Sequence, residues 1–181
     1  MIQTPAKNIQ QKLLIALTGP VGSGKSHIAA ILAKKLKAVH IRTDKIRVEL
    51  REQGKSYDTA IRIATKLRDQ ALKEGKSVIA DFDAVLPRRQ RELKKIAEKY
   101  NAHFFLVRVD TPEEVIIRRL RAKRYTKKEL FKNAMEAIRV YHIRKKLHEK
   151  RLQSIPDFAI NNGKPLASQI ERIIEKIGEK M

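Results

Sequence analysis

Hydrophobic residues along the chain alternate between short continuous runs and longer stretches with helical spacing. The short runs lie at residues 13–18, 39–41, 77–81, 103–109 and 158–160. Strands whose apolar residues follow one another without alternation are typical of a parallel sheet that helices cover on both faces. The pattern therefore predicts an α/β fold in which a parallel five-stranded sheet is flanked by helices.

Two of the intervening helices have clear sequence signals. The run Thr111-Pro112-Glu113-Glu114 predicts a helix start, with Thr111 as the capping hydroxyl and proline at the first helical position. A final helix that packs on the sheet is predicted by isoleucines at helical spacing, namely Ile170, Ile173, Ile174 and Ile177.

The length of 181 residues favours one domain, which we expect at 12–181 after a flexible arm at 1–11. The sequence contains no cysteine, which fits a reducing, cytoplasmic environment. A secretory signal is not evident, and no apolar run approaches the roughly 20 residues that a membrane span needs. We therefore expect a soluble cytoplasmic protein without a membrane partner.

The chain is unusually basic, with a formal net charge of +21. About half of this excess positive charge lies in residues 118–151, which contain fourteen Lys and Arg but only three Glu. This segment predicts a basic helical lid, and the charge favours polyanions such as nucleic acid as partners. A solvated surface is the alternative. Tyr125, Phe131 and Tyr141 in the segment are candidates for stacking on bases or for core positions.

A phosphate-binding motif links the first strand to the first helix. Residues Gly19-Pro20-Val21-Gly22-Ser23-Gly24-Lys25-Ser26 match G-x-x-x-x-G-K-[ST], the P-loop pattern, in the strand-to-helix context that its mechanism needs. Backbone N–H groups would surround phosphate oxygens, and Lys25 would reach the β and γ phosphates. The Ser26 hydroxyl would join the coordination of Mg²⁺. The motif predicts an ATP site with Mg²⁺.

Further charged residues follow the next strands at the same edge of the predicted sheet. Asp44 comes after the second strand, as a general base for an attacking hydroxyl, as the N-cap of the next helix, or as both. Arg47, one turn later, is a clamp for a substrate anion or a surface residue. Asp81 ends the third strand, where an acid would lie near Mg²⁺ or hold a substrate-binding arginine. Asp83 is an alternative candidate for this role.

Several arginines crowd the start of the basic segment. If this segment closes over the phosphates, one or two guanidiniums would neutralise charge in the transition state; otherwise the arginines form a solvated helix face. The candidates are Arg118, Arg119, Arg121 and Arg124.

With these motifs the chain resembles the small P-loop kinases of the polynucleotide kinase and zeta-toxin-like group, within the nucleoside and shikimate kinase-like fold. The resemblance spans roughly residues 13–178. It is carried by GPVGSGKS, by T-D-x-x-R at 43–47, by the segment from Ser77 to Tyr100, by HFFLVRVDTPEEVIIRRL and by DFAINNG at 157–163. His27 stands where Thr is common after the motif serine, and ADFDAV departs from the usual third-strand motif.

The resemblance implies roles for individual residues. It makes Asp44 the general base and Arg47 a ligand of the acceptor phosphate, and it places Asp81 and Arg91 at the acceptor site. The implied lid arginines are Arg119 and Arg124. The implied nucleotide-binding residues are those of the motif at 19–26, His27, and Asn162. Of these, Asn162 lies in the loop that would contact adenine.

These observations favour an ATP-dependent kinase whose best acceptor is a polynucleotide 5′-hydroxyl. An uncharged small molecule such as a nucleoside or sugar would need the same chemistry. A nucleic-acid-binding ATPase without a second substrate, and a basic binding module with a vestigial phosphate site, are the other hypotheses. The acceptor, the preference for ATP over GTP and the oligomeric state stay open.

Overall fold

The computed structural model describes residues 11–82, 84, 86–151 and 155–181; the predicted arm at 1–11 lies almost wholly outside them, as does Asp83. Within these ranges one parallel sheet has the strand order β2-β3-β1-β4-β5. The strands are β1 (Lys12–Thr18), β2 (Val39–Arg42), β3 (Val78–Asp81), β4 (Ala102–Asp110) and β5 (Phe158–Asn161). The predicted parallel five-stranded sheet is confirmed, each strand within about two residues of its predicted bounds.

Seven α-helices, and a short 3₁₀-helix at Tyr57–Thr59, connect or follow the strands in the described part of the chain. They are α1 (Lys25–Lys35), α2 (Thr43–Glu52), α3 (Ala60–Lys73), α4 (Pro87–Lys99), α5 (Glu113–Ala122), α6 (Ala134–Arg151) and α7 (Ala167–Glu179). The basic segment at 118–151 is therefore helical at both ends, with a connection at 123–133 between α5 and α6. The helix predicted from the Thr111-Pro112 signal begins at Glu113.

Two hydrophobic cores lie on opposite faces of the sheet. Because side chains alternate along a strand, Leu13, Ile15 and Leu17 of β1 pack with α1 and α7, whereas Leu14 and Ala16 pack with α2, α3 and α4. β1 is buried on both sides, which explains its unbroken apolar run. In α7, Ile170, Ile173 and Ile177 are buried and Ile174 packs against the core, as the isoleucine spacing predicts.

A third, smaller core joins the basic segment to the phosphate loop. Ile116 and Leu120 of α5 pack with Ala137 and Tyr141 of α6, and Val21 packs against this cluster. Tyr125 and Phe131 also pack there, so the core alternative holds for the three aromatic residues that were candidates for base stacking. In the described part of the chain, no helix has the length and apolar composition of a membrane span.

Candidate functional site

The loop between β1 and α1 has the backbone shape that a phosphate site needs. Gly22 and Gly24 have φ of 79° and 90°, in the left-handed region where a side chain is strained. α1 begins at Lys25, and the first-turn amides of a helix lack intrahelical acceptors. These donors and the positive end of the helix dipole favour an anion at this end of α1.

The side chain of Lys25 lies back over the loop. Its ammonium donates hydrogen bonds to the carbonyls of Gly19 at 2.5 Å and Pro20 at 2.9 Å. Ser26 is half-buried in the first turn of α1, and the exposed His27 donates its backbone N–H to Gly24 O at 3.1 Å. The lysine charge is therefore held at the mouth of the loop, where phosphates would bind.

The carbonyl of Ser23 anchors the loop to β4 and β5. It accepts a hydrogen bond from the Asn162 side-chain amide at 2.6 Å and another from the Thr111 hydroxyl at 2.9 Å. The predicted capping role of Thr111 is wrong, because Pro112 is the N-cap of α5 without a side-chain cap. The Thr111 hydroxyl instead helps to hold the loop in shape.

Asn162 and Arg119 lie together beside the loop. Asn162 is 6% exposed, and its backbone carbonyl accepts a hydrogen bond from Arg119 Nη2 at 3.0 Å. A β-carbon at Gly24 would lie 2.1 Å from Asn162 Nδ2 and 3.7 Å from Arg119 Nη1. The structure therefore brings two predicted site residues against the phosphate loop, and the Asn162 amide is engaged with the backbone of that loop.

Asp81 ends β3, the strand between β1 and β2. The residue is 8% exposed. Its carboxylate lies 3.3 Å from His40 Nε2 and 3.8 Å from Arg42 Nε. Arg42 pairs with Asp81 in the sheet register. The carboxylate thus contacts the strand that leads to α2, on the side of the site where an acceptor is expected.

Asp44 and Arg47 form an ion pair at the start of α2, with Asp44 Oδ1 2.8 Å from Arg47 Nη1. The predicted N-cap role of Asp44 is wrong, because the helix begins at Thr43 and its N-cap is Arg42. Asp44 lies inside the first turn, where a negative charge is favoured by the helix dipole. Its side chain is 58% exposed, so the carboxylate is accessible from solvent.

Within the described ranges of the chain, the remaining predicted arginines make no hydrogen bond or ion pair with the phosphate loop. Arg91 is exposed on α4, and Arg124 is exposed in the connection after α5. Arg118 and Arg121 line a surface depression on α5 together with Glu113 and Glu114. Of the predicted lid arginines, Arg119 is the one that the described contacts place beside the phosphate loop.

An ion pair joins the start of α5 to α6. Lys145 donates to Glu113, and this hydrogen bond holds the pKa of the Glu113 carboxyl below its ordinary value and raises the pKa of Lys145. Burial, with the negative charge of Glu113 as a smaller cause, raises the pKa of the neighbouring Tyr141 hydroxyl. The two helices of the basic segment are thus tied by charge as well as by apolar packing.

The residues of the loop fit a nucleotide with its metal ion. Hydroxyl and carboxylate oxygens, as in Ser26 and Asp81, are the donors that Mg²⁺ prefers, completed by phosphates and water. Such a site needs few protein ligands, so it is compatible with the finding that no group of three His, Asp or Glu side chains in the described ranges could hold a metal. The Ser23 hydroxyl is buried without a hydrogen-bond partner among the described residues.

Sequence reasoning missed several residues of this region. His40 and Arg42 contact Asp81, and Arg51 of α2 contacts the connection between α5 and α6. These contacts join segments far apart in the chain. For His40 and Arg51 no local sequence pattern indicates these contacts. For Arg42, its position at the end of a predicted strand could have indicated a place near the site.

Comparisons with known proteins agree with this architecture. A family model described as "AAA domain" matches residues 14–145. The fold is similar to a sugar kinase from Janibacter sp. HTCC2649, at 16% identity and a TM-score of 0.63 over 92% of this chain and 95% of the other. It is also similar to the APS kinase of Mycobacterium tuberculosis in complex with AMPPNP and APS, at 19% identity and a TM-score of 0.63 over 93% and 98%. No curated protein matches in a sequence search.

Proposed function

The chain belongs to the AAA domain family, and from that premise we propose that it is a kinase that transfers the γ-phosphate of ATP to a hydroxyl of a small molecule. The observation that carries this proposal is the arrangement at one edge of the sheet. The phosphate loop, Asp81 and the Asp44–Arg47 pair follow three neighbouring strands, β1, β3 and β2. Parallel α/β sheets bind ligands at this carboxyl edge.

The nucleotide half of the reaction depends on the loop and the residues around it. Backbone amides at the start of α1 and the Lys25 ammonium would hold the β and γ phosphates. Ser26 and Asp81 would hold Mg²⁺, which neutralises phosphate charge when bound. Arg119, held beside Gly24 and Asn162, would add a positive charge as negative charge develops on the transferred group, with Arg124 as a second candidate.

The acceptor half depends on α2 and α4. Asp44 would accept the proton of the attacking hydroxyl and orient its oxygen towards the γ-phosphate. Arg47 fixes the orientation of that carboxylate through their ion pair. We propose that Arg47, Arg91 and Asp81 also contact the acceptor. Asp81 is supported by its contact with Arg42 at the end of the strand that leads to α2, and Arg47 by its ion pair with Asp44. Arg91 is supported by the resemblance to the polynucleotide kinase group.

A small-molecule acceptor is favoured by the kinases that share the fold, a sugar kinase and an APS kinase. A polynucleotide 5′-hydroxyl is the second candidate. The net charge of +21 and its concentration in residues 118–151 favour it, as does the resemblance to the polynucleotide kinase group. We further propose that residues 12–181 form the kinase domain, with 118–151 as its lid.

A transfer assay with ATP labelled on the γ-phosphate tests the proposal. The acceptor panel contains sugars, nucleosides, APS and 5′-hydroxyl oligonucleotides, and a reaction without acceptor measures hydrolysis. We expect labelled product with a small molecule, at a rate that changes little with salt if that acceptor is uncharged. Labelled oligonucleotide, with binding that falls steeply as salt rises, would select the second candidate. Hydrolysis that nucleic acid stimulates, without any labelled acceptor, would contradict both.

A further inference from the structure

Arg51 lies in the last turn of α2, and its guanidinium contacts the connection between α5 and α6. Nη2 donates hydrogen bonds to Glu129 O at 2.8 Å and to Lys127 O, and Nη1 lies 3.4 Å from Leu130 O. One side chain therefore serves three backbone carbonyls of another segment. The planar, five-donor fork of arginine is suited to this arrangement, whereas a lysine ammonium is a compact point charge on a flexible stem.

The connection that Arg51 contacts, residues 123–133, has no regular helix or strand. It contains a turn in which Glu129 N donates to Thr126 O at 3.0 Å, and Lys123 pairs with Glu129 at 2.6 Å. Backbone carbonyls outside regular structure accept hydrogen bonds from water or from donors in other segments, and donors in another segment fix their position relative to that segment. Arg51 supplies such donors, so the position of the connection depends on α2.

The two elements that Arg51 joins carry opposite halves of the proposed site. Asp44 and Arg47 lie on α2, and Arg47 shares a helix face with Arg51 because the two are four residues apart. On the other side, α5 carries Arg119 beside the phosphate loop. Ile116 and Leu120 of α5 also pack in the cluster that includes Val21.

We propose that Arg51 is a positioning residue that ties the connection at 123–133 to the acceptor helix α2. This contact, called the tie below, keeps α5 and its Arg119 in a fixed orientation relative to Asp44 and Arg47. Arg119, expected to bind the nucleotide, and Asp44, expected to bind the acceptor, are then both placed at the phosphate that is transferred. This inference rests on the proposed function for its effect on catalysis. The contact between Arg51 and the connection does not depend on the proposed function.

The tie predicts a division between binding and turnover. The loop contacts of Lys25 and Asn162 do not pass through Arg51, so ATP affinity should stay within about two-fold in Arg51→Ala. Turnover should fall by about ten- to a hundred-fold, the range expected when reacting groups are misplaced by about an ångström. Arg51→Lys should fall between wild type and Arg51→Ala, because one ammonium replaces only part of the fork.

The test combines two measurements on the full chain. Hydrogen–deuterium exchange followed by mass spectrometry reports the tie without any acceptor, and steady-state kinetics with the acceptor found in the panel reports kcat and KM separately. Wild type, Arg51→Ala and Arg51→Lys are compared with Arg62→Ala, which removes an exposed arginine from α3. We expect faster exchange in 123–133 for Arg51→Ala, a smaller increase for Arg51→Lys and none for Arg62→Ala, with a fall in the kcat of Arg51→Ala and an unchanged affinity for ATP.

If Arg51→Ala left the hydrogen–deuterium exchange rates of 123–133 unchanged, the tie would be overturned, whatever the kinetic measurements show. Wild-type kcat in Arg51→Ala, or a fall that matches the fraction of unfolded protein, would overturn the positioning role. Failure of the wild-type chain to phosphorylate any acceptor would reject the proposed function, while the exchange measurement would still decide the tie.

Discussion

The side-chain nitrogen of Asn162 occupies the space that a side chain at residue 24 would need. A β-carbon at Gly24 would lie 2.1 Å from Asn162 Nδ2, and that nitrogen is fixed by its hydrogen bond to Ser23 O. The phosphate loop and the loop after β5 therefore fit each other without a shift only with glycine at position 24.

Gly24→Ala should destabilise the protein and weaken ATP binding. The left-handed φ of 90° and the clash with Asn162 together predict a loss of about 2–4 kcal/mol in the free energy of unfolding. Urea unfolding measures the loss, and Mg-ATP titration measures affinity. Gly75→Ala is the matched control, with a φ of 81° and nothing within 4 Å of the added carbon. It should cost about 1 kcal/mol and leave ATP affinity unchanged. Equal losses in the two variants would contradict the fit.

Asn162→Ala tests the same contact from its other side. Alone, it should cost about 1–2 kcal/mol, because it removes a buried hydrogen bond to Ser23 O. Combined with Gly24→Ala it should cost less than the sum of the two single changes, since the smaller residue 162 makes room for the new methyl group. A double-mutant cycle by urea unfolding should give a coupling of about 1 kcal/mol. Strict additivity would show that the two residues do not compete for space.

Asp44→Asn should separate chemistry from nucleotide binding. An amide cannot accept the proton of the attacking hydroxyl, so kcat should fall by about 10²- to 10⁴-fold, while Mg-ATP affinity changes little. Glu49→Gln is the control, because Glu49 is an exposed acid on the same helix with an ion pair to Lys45 at 3.7 Å. If Asp44→Asn turned over at the wild-type rate, Asp44 would not be the base.

The pair Glu113–Lys145 predicts a pH dependence of the stability of α5 and α6. The pKa of Glu113 is lowered in the folded state by its hydrogen bond with Lys145, so its contribution is present above the unfolded pKa and is lost as pH falls through the folded pKa. Urea unfolding at neutral pH should show Glu113→Gln less stable than wild type. The difference should shrink as pH falls below about 4.3, the ordinary pKa of a Glu carboxyl.

Glu114→Gln, at the exposed neighbouring position, should show a smaller difference throughout this titration. A gap between wild type and Glu113→Gln that stayed constant down to pH about 3, below the ordinary range of carboxyl pKa values, would contradict the assignment of the lowered pKa to this pair.

The sheet and the phosphate loop could be predicted because their signals are local. An unbroken apolar run such as Leu13–Leu17 reports burial on both faces, and the spacing of glycines before Lys25 reports a loop that must turn sharply between a strand and a helix. The contacts that shape this loop from outside could not be predicted, although the resemblance implied that Asn162 lies near the nucleotide. Thr111 and Asn162 meet at Ser23 from two other strands, and only the folded chain brings them together.

The same reasoning explains the errors at helix starts. Thr111 and Asp44 each have the side chain of a good N-cap, but an N-cap preference of about 1 kcal/mol yields readily to tertiary contacts. The Thr111 hydroxyl is used by the phosphate loop, and α2 begins before Asp44. The contact of Arg51 with the connection at 123–133 had no local signal, because its acceptors are backbone carbonyls.

The binding of triphosphate in the loop at residues 19–26 is tested most directly by two-dimensional ¹H–¹⁵N NMR during titration with Mg-ATP. We predict large shifts of the amides of Gly22, Gly24, Lys25 and Ser26 in the wild-type chain. The shifts should require about ten-fold or more Mg-ATP in Lys25→Ala, because a charge-assisted hydrogen bond is lost. Lys34→Ala, at an exposed position of the same helix, should behave as wild type. Amide signals of Gly22 to Ser26 that stay in place at saturating Mg-ATP would contradict the account.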